Sequence, residues 1–153
     1  MRLPPFVAAA TVALAVAACT ASDKAPAADS ATATAQAAPA TEAAVRIVSP
    51  ADGDTVTQPF TVRLEATGVE VIAATGTAEP GKGHHHLVID GDAPADSLPL
   101  PAPPVVIHMG NGASERVIDS LSVGPHRIIA IFATGDHVPL KTVKRDTITV
   151  IVK

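Results

Sequence analysis

The sequence predicts an all-β fold, an antiparallel β-sandwich, over residues 45–153. From Val45 onward, short runs of β-branched residues alternate with turn residues, and no segment has the period of an amphipathic helix. Turn sequences such as Asp52-Gly53-Asp54 and Gly124-Pro125 separate these runs. The chain has no Trp or Tyr and only 3 Phe, so we expect an aliphatic core.

The predicted strands follow one another at short intervals. Eight are predicted, at residues 45–49, 60–66, 69–75, 85–90, 105–109, 115–119, 126–133 and 146–152. Seven or eight short strands in roughly 109 residues match the size of an immunoglobulin-like sandwich. The segment from Ser49-Pro50 to Val62 is similar to the opening hairpin of bacterial immunoglobulin-like modules.

Two segments between the strands have their own predictions. Residues 93–104 contain five prolines and predict an extended, polyproline-like strap that crosses the surface. The run from Leu121 to Ile128 resembles the corner that leads into a late strand of such sandwiches, with His126 where a tyrosine often stands. We therefore expect His126 to be structural, with a ring nitrogen bonded to a backbone carbonyl of the preceding turn.

The N-terminal segment predicts an export and anchoring signal rather than a folded element. Residues 1–18 read as a lipoprotein signal peptide, because a short basic start precedes an apolar run that ends in Val16-Ala17-Ala18-Cys19. The run is too short for a transmembrane helix, which needs about 20 apolar residues. Cys19 is the expected lipidation site, and residues 19–44 are the expected Ala/Thr/Pro-rich disordered tether. Thr20 after the cysteine favours the outer membrane of a Gram-negative cell, facing the periplasm.

Composition excludes several classes of function. The net charge is −4 without a cluster of basic residues, so nucleic acid is not an expected partner, whereas a protein partner in the envelope stays open. The one cysteine is Cys19, which leaves the domain without a disulfide or a reactive thiol. No nucleophile elbow, phosphate-binding loop or paired-carboxylate motif is present, and we expect a protein that is not an enzyme.

Three consecutive histidines open the strand near residue 85. Side chains alternate along a strand, so His84 and His86 share a face about 6.5 to 7 Å apart, while His85 points to the other face. Antiparallel alternation brings the end of the next strand, at His108, to the same rim, and His137 lies in a loop at that rim. A hairpin through Gly110-Asn111-Gly112 then places His126 at the opposite end.

This arrangement predicts a copper or zinc site with four histidine ligands: His84, His86, His108 and His137. His85, Asp90 and Asp136 are the expected hydrogen-bonding supports of these ligands. The alternative is a structural or protein-interaction module without metal, in which the histidines form a solvated strand end or hydrogen-bond within the fold.

The same residues resemble a known family. The runs Gly81 to Asp90, Ile107 to Glu115 and Leu121 to His126 are similar to the domain-of-unknown-function family numbered 4399. The resemblance implies a short exported bacterial protein without an established activity. One departure follows His137-Val138-Pro139, where the family often has a further histidine and this chain has Leu140-Lys141.

Overall fold

The computed structural model describes residues 42–153, and these form nine strands and no helix. The strands are β1 (Ala44–Ser49), β2 (Thr55–Val56), β3 (Phe60–Thr67), β4 (Glu70–Val71), β5 (Lys82–Ile89), β6 (Ile107–His108), β7 (Glu115–Ile118), β8 (Gly124–Ala133) and β9 (Asp146–Val152). The all-β prediction is confirmed, and each of the eight predicted strands overlaps an observed one.

The predicted signal peptide, Cys19 and nearly all of the predicted tether lie outside the described residues. Strand β1 begins at Ala44, and the Ala43 carbonyl already accepts a 2.9 Å hydrogen bond from the Lys144 N–H. No helix that could cross a bilayer is found within residues 42–153.

The strands form two sheets. One has the order β1-β3-β7, and the other has the order β2-β9-β8-β5-β4, with β6 also paired to β5. The long pairs are antiparallel, as predicted, but the two-residue edge strands β2 and β4 pair parallel to β9 and β5. Elements this short have no side-chain period that could indicate their direction or their sheet.

One aliphatic core lies between the sheets. Alternate residues of β1, β3 and β9 are buried, as in β1, where Val45 and Ile47 point inward and Arg46 points outward. Residues from both sheets form this core: Val45, Ile47, Val62, Leu64, Leu87, Ile118, Ile128, Phe132, Ile148 and Val150. The expected aliphatic core is confirmed, and the two sheets enclose it as a sandwich.

The predicted strap covers the outer face of the second sheet. Its Leu100 packs with Val106 on a second apolar cluster built from Val88, Ile129, Ile131 and Ala133. This cover explains why β8 is buried on both faces from Ile128 to Ala133 and is a continuous apolar run. The Arg145 guanidinium holds the start of the strap by donating to the Pro94 carbonyl, at 3.2 Å, and to the Asp96 carboxylate.

The chain does not form the predicted hairpin after β6. A turn closes where the Gly112 N–H donates to the Met109 carbonyl at 3.2 Å, but β7 then pairs with β3 in the other sheet. The hairpin prediction is wrong because β6 has only two residues, both paired to β5, whereas β3 offers β7 an edge for four pairs. The chain crosses between the sheets at this point.

His126 lies at the start of β8 and caps the preceding corner. Its Nε2 lies 2.8 Å from the Ser122 carbonyl oxygen, and its Nδ1 lies 2.6 Å from an Asp90 carboxylate oxygen. The hydrogen bond to the preceding turn is the one predicted from the likeness to a tyrosine corner. The part of β8 from His126 to Ala133 spans roughly 24 Å at 3.4 Å per residue, and His137 lies in the loop beyond Ala133, so the two histidines lie at opposite ends of the strand.

Candidate metal centre

Three strands bring four histidines together at one end of the second sheet. His84 and His86 lie on the same face of β5. The register of β5 with β6 places His108 opposite His86, and the register of β5 with β8 pairs His84 with Ala133. His137 follows four residues after Ala133 and so returns to the same rim. The predicted convergence on one rim is observed.

The ligand nitrogens of these four side chains form a tight group, named here the histidine cluster (His84, His86, His108 and His137). One ring nitrogen from each residue lies within 4.8 Å of all the others. The Nε2 of His108 lies 3.0 Å from the Nε2 of His84 and 3.0 Å from the Nε2 of His137. A ring nitrogen of neutral imidazole either donates or accepts, so His108 Nε2 forms at most one full hydrogen bond with the two.

Several ring nitrogens of the cluster are buried without a hydrogen-bond partner from the part of the chain that the structure describes, and this destabilises the fold. His84 and His86 have 0% and 1% of their surface exposed. Within residues 42–153, His84 Nδ1 and both ring nitrogens of His86 are buried without a hydrogen-bond partner. Each such group costs about 1 to 3 kcal/mol of desolvation that a partner would offset. A metal ion that accepts several nitrogen lone pairs at once would supply that compensation for the nitrogens that face it.

Burial and mutual proximity lower the pKa of three of these imidazoles. Burial, followed by the nearby His108 and His137, lowers the pKa of His84 from 6.5 to about 4. Burial and the neighbouring histidines lower the pKa of His86 to about 3, and burial also lowers the pKa of His108. At neutral pH the lone pairs of these side chains are therefore free of protons, which is the form that coordinates a metal.

The donor set fits one transition-metal ion. With bonds of about 2.0 to 2.1 Å, a tetrahedral zinc site places its nitrogens about 3.3 Å apart, close to the two 3.0 Å separations of the cluster. The longest separation, up to 4.8 Å, requires a modest ring rotation. Imidazole ligands suit copper as well as zinc.

Two local features hold individual ligands in place. A Cβ added at Gly110 would lie 2.1 Å from the His108 ring, so any residue other than glycine would displace the ring. His137 has a φ of 70°, a left-handed conformation that is strained for a residue other than glycine. Its loop is fixed by the Thr134 hydroxyl, which lies within hydrogen-bond distance of the Asp136 carboxylate and the Val138 carbonyl. The sequence analysis assigned Gly110 only to a turn and did not single out Thr134, although a glycine two residues after a candidate ligand can indicate that another group packs closely there.

Within the described residues, none of the three predicted supporting residues hydrogen-bonds to a ring of the cluster. The His85 ring points to the core face, with its centroid 5.5 Å from that of Phe132, and its nitrogens are buried without partners in the described part of the chain. Asp90 accepts from the Arg127 N–H at 2.9 Å and pairs with His126, so it supports the structural histidine at the far end. Asp136 accepts from Thr134 and so supports the loop that carries His137, not an imidazole directly.

A cavity of about 300 Å³ adjoins the cluster. One wall consists of His86, His108 and His137, and the other consists of strap residues 99–103. The Leu100 N–H donates to the His137 carbonyl at 2.9 Å, which ties the strap to the cluster. The sequence predicted the strap but not that it forms a wall of the site.

A sequence profile described as "Domain of unknown function (DUF4399)" matches residues 62–153. The chain belongs to the DUF4399 family. The matched range contains every histidine of the cluster, so the resemblance expected from the sequence is confirmed and the cluster lies within the DUF4399 domain. No curated protein sequence matches the chain.

Two solved structures share a general likeness with this DUF4399 protein. One is an endo-β-1,4-mannanase from Thermotoga petrophila, with 15% identity, 74% of this chain and 20% of that chain covered, and a TM-score of 0.43. The other is an engineered protein, with 21% identity, 76% of this chain and 21% of that chain covered, and a TM-score of 0.42. The chain thus spans about a fifth of each of these proteins.

Proposed function

We propose that this DUF4399 protein binds one copper or zinc ion through His84, His86, His108 and His137, as a non-catalytic, lipid-anchored protein of the bacterial cell envelope. One observation carries the metal assignment: four imidazole nitrogens lie within 4.8 Å of one another. Packing four similar rings with facing nitrogens gains little for a fold unless an ion joins them, because unpaired buried nitrogens are destabilising.

The surroundings of the cluster support binding rather than catalysis. None of the residues that line the adjoining cavity is a serine, threonine, cysteine or carboxylate, so its walls offer no nucleophile or acid–base pair beyond the histidines. A site with four protein ligands also resembles structural zinc sites, whereas catalytic zinc sites keep one position open. Metal retention or transfer is therefore the role that we assign.

The envelope location rests on the N-terminal sequence. An apolar run that ends at Cys19 is typical of lipoprotein export, and acyl chains on a cysteine hold a protein at the membrane because each buried methylene adds about 0.8 kcal/mol. We propose the outer membrane, facing the periplasm, as the site of attachment. We also propose that the sandwich is related to immunoglobulin-like domains. We further propose that an envelope protein receives or supplies the ion.

Calorimetric titration of the metal-free, full-length protein with Cu²⁺ and Zn²⁺ tests the assignment. We expect one equivalent to bind to the wild type and specific binding to be lost in the His84→Ala/His108→Ala double variant. His126→Ala is the matched control, which should bind metal normally but unfold more easily by about 1 to 3 kcal/mol, because its partners at the corner lose their hydrogen bonds. Equal affinity in the wild type and the double variant would contradict the proposal and favour an interaction module without metal.

A further inference from the structure

We infer that the cavity between the histidine cluster and the strap is a binding site for a small organic anion with an apolar body, such as a short-chain monocarboxylate, which coordinates the bound metal. This inference rests on the proposed function, because the ion supplies the anchor for the anion. It adds a second ligand to the site and a role for the strap.

The first step is the position of the cavity. Three of the four cluster histidines, namely His86, His108 and His137, form one of its walls. An ion held by the cluster would therefore lie next to the cavity, with His84 on the buried side. Copper favours square-planar or tetragonal nitrogen sites, to which a further ligand can be added, so a molecule in the cavity could reach a copper ion without displacing a histidine.

The second step is charge. Four neutral imidazoles leave the +2 charge of the ion uncompensated in a partly buried place, and no residue that lines the cavity carries a carboxylate. The Asp136 carboxylate, next to His137 in the chain, already accepts a hydrogen bond from Thr134. An anion is therefore preferred over a neutral ligand of the same shape, because it compensates charge that the protein does not.

The third step is the chemistry of the opposite wall. Three of the five strap residues there, Pro99, Pro101 and Pro103, are prolines without an N–H, and the N–H of Leu100 is already bonded to His137. This wall offers apolar carbon and few hydrogen-bond donors. A fully polar anion gains nothing from it, whereas the alkyl chain of a monocarboxylate buries against it.

The volume sets the size of the ligand. About 300 Å³ lies at the lower limit of small-molecule pockets. It accommodates a carboxylate with a few methylenes, and the rest of a longer acyl chain would extend beyond its walls. The structure thus assigns a short-chain anion.

The test measures how anions perturb the visible d–d absorption of the full-length protein loaded with one equivalent of Cu²⁺. Formate, acetate, propionate and butyrate are titrated, with butyramide as the neutral control. We expect affinity to rise by up to about fourfold for each buried methylene, from the transfer free energy of that group, and butyramide to leave the spectrum unchanged. Equal affinity from formate to butyrate, or no spectral change with any anion, would overturn the inference.

Two leucines of the strap provide a matched pair of variants. Leu100 lines the cavity, whereas Leu98 is 65% exposed and is not part of the lining. Leu100→Ala should flatten the dependence on chain length while formate still binds, and Leu98→Ala should behave as the wild type. If both variants keep the same dependence, the strap does not form the binding wall.

A third variant keeps the test decisive if Leu100→Ala unfolds. Ala102 lines the cavity from an exposed strap position, so Ala102→Phe should weaken butyrate more than formate without loss of folding. Unchanged butyrate affinity in Ala102→Phe would also contradict the inference. Failure of the proposed function gives a different result, because the copper band is then absent before any anion is added.

Discussion

Two adjacent histidines test how much the buried imidazoles destabilise the metal-free protein. His85 and His86 are both almost fully buried, and within the described residues neither ring has a hydrogen-bond partner. They lie on opposite faces of β5, so only His86 belongs to the histidine cluster. Leucine has a similar volume and no polar atoms. We expect His85→Leu and His86→Leu each to stabilise the metal-free protein.

The magnitude follows from the unpaired nitrogens. Each buried, unsatisfied polar group costs about 1 to 3 kcal/mol, and the ring contacts of His85 with Phe132 and of His86 with His84 and His108 return about 0.5 to 1.5 kcal/mol each. His86→Leu and His85→Leu should therefore each raise the free energy of unfolding by about 1 to 3 kcal/mol. At about 4 °C per kcal/mol for a domain of this size, the melting temperature of His86→Leu rises by about 4 to 12 °C.

The stabilisation that metal binding gives should differ between the two variants. At a free ion concentration of about 100 times the dissociation constant, binding stabilises the native state by about 2.7 kcal/mol. The wild type and His85→Leu should both show this gain, and His86→Leu should lose most of it, because one ligand is missing. Denaturant unfolding with and without Zn²⁺ after chelator treatment measures both effects. A metal-free His86→Leu protein that is less stable than the wild type would refute the reasoning on unpaired nitrogens, and equal metal effects in both variants would refute the assignment of faces.

Three further predictions concern positions away from these faces. Gly110→Ala should weaken metal binding at least about tenfold with little loss of stability, since its Cβ would displace the His108 ring, and titration with Zn²⁺ measures this loss. The hydrogen bonds to Asp90 and Ser122 raise the pKa of His126, and hydrogen bonds from His126 and Arg127 lower the pKa of Asp90 despite partial burial, which raises it. The stability lost in Asp90→Asn should therefore be largest between about pH 4 and 6.5, the ordinary pKa values of Asp and His. It decreases at lower pH, where Asp90 becomes protonated in the folded state, and at higher pH, where folded His126 loses its proton; a pH-independent difference in denaturant midpoint would contradict the ion pair. Cys19→Ser should leave an uncleaved precursor or a soluble product, which cell fractionation and the mass of the protein distinguish, and a wild type found wholly in the soluble envelope fraction would contradict lipidation.

Strand period and direction were enough to predict the convergence of the cluster. The alternation of side chains in β5 placed His84 and His86 on one face, and antiparallel succession brought His108 and His137 to the same rim. These inferences depend on local pattern and on the count of strand reversals, both of which are present in the sequence. The positions of His126 and His137 came from the same count, which assumed a hairpin after β6. That hairpin does not form, because β7 pairs with β3, but both histidines still lie at the predicted ends of β8.

The rest depends on tertiary partners that a local pattern does not contain. The pairing of β7 with β3 is decided by which sheet edge is free, and two-residue strands such as β2 carry no period. Asp90 follows the last residue of β5, at the end opposite His84 and His86, and its carboxylate pairs there with His126. The strap forms a wall of the cavity because Leu100 packs on the outer face of β8, which sequence alone presents only as an apolar run.

The most direct test of the central claim counts the histidines on the ion. X-ray absorption spectroscopy of the full-length protein, expressed without a histidine tag and loaded with one equivalent of Zn²⁺ or Cu²⁺, gives the number and distance of imidazole ligands. The account predicts four nitrogens at about 2.0 to 2.1 Å for zinc, falling to three in His137→Ala. An ion coordinated by two or fewer imidazoles, or a spectrum that His137→Ala leaves unchanged, would contradict it.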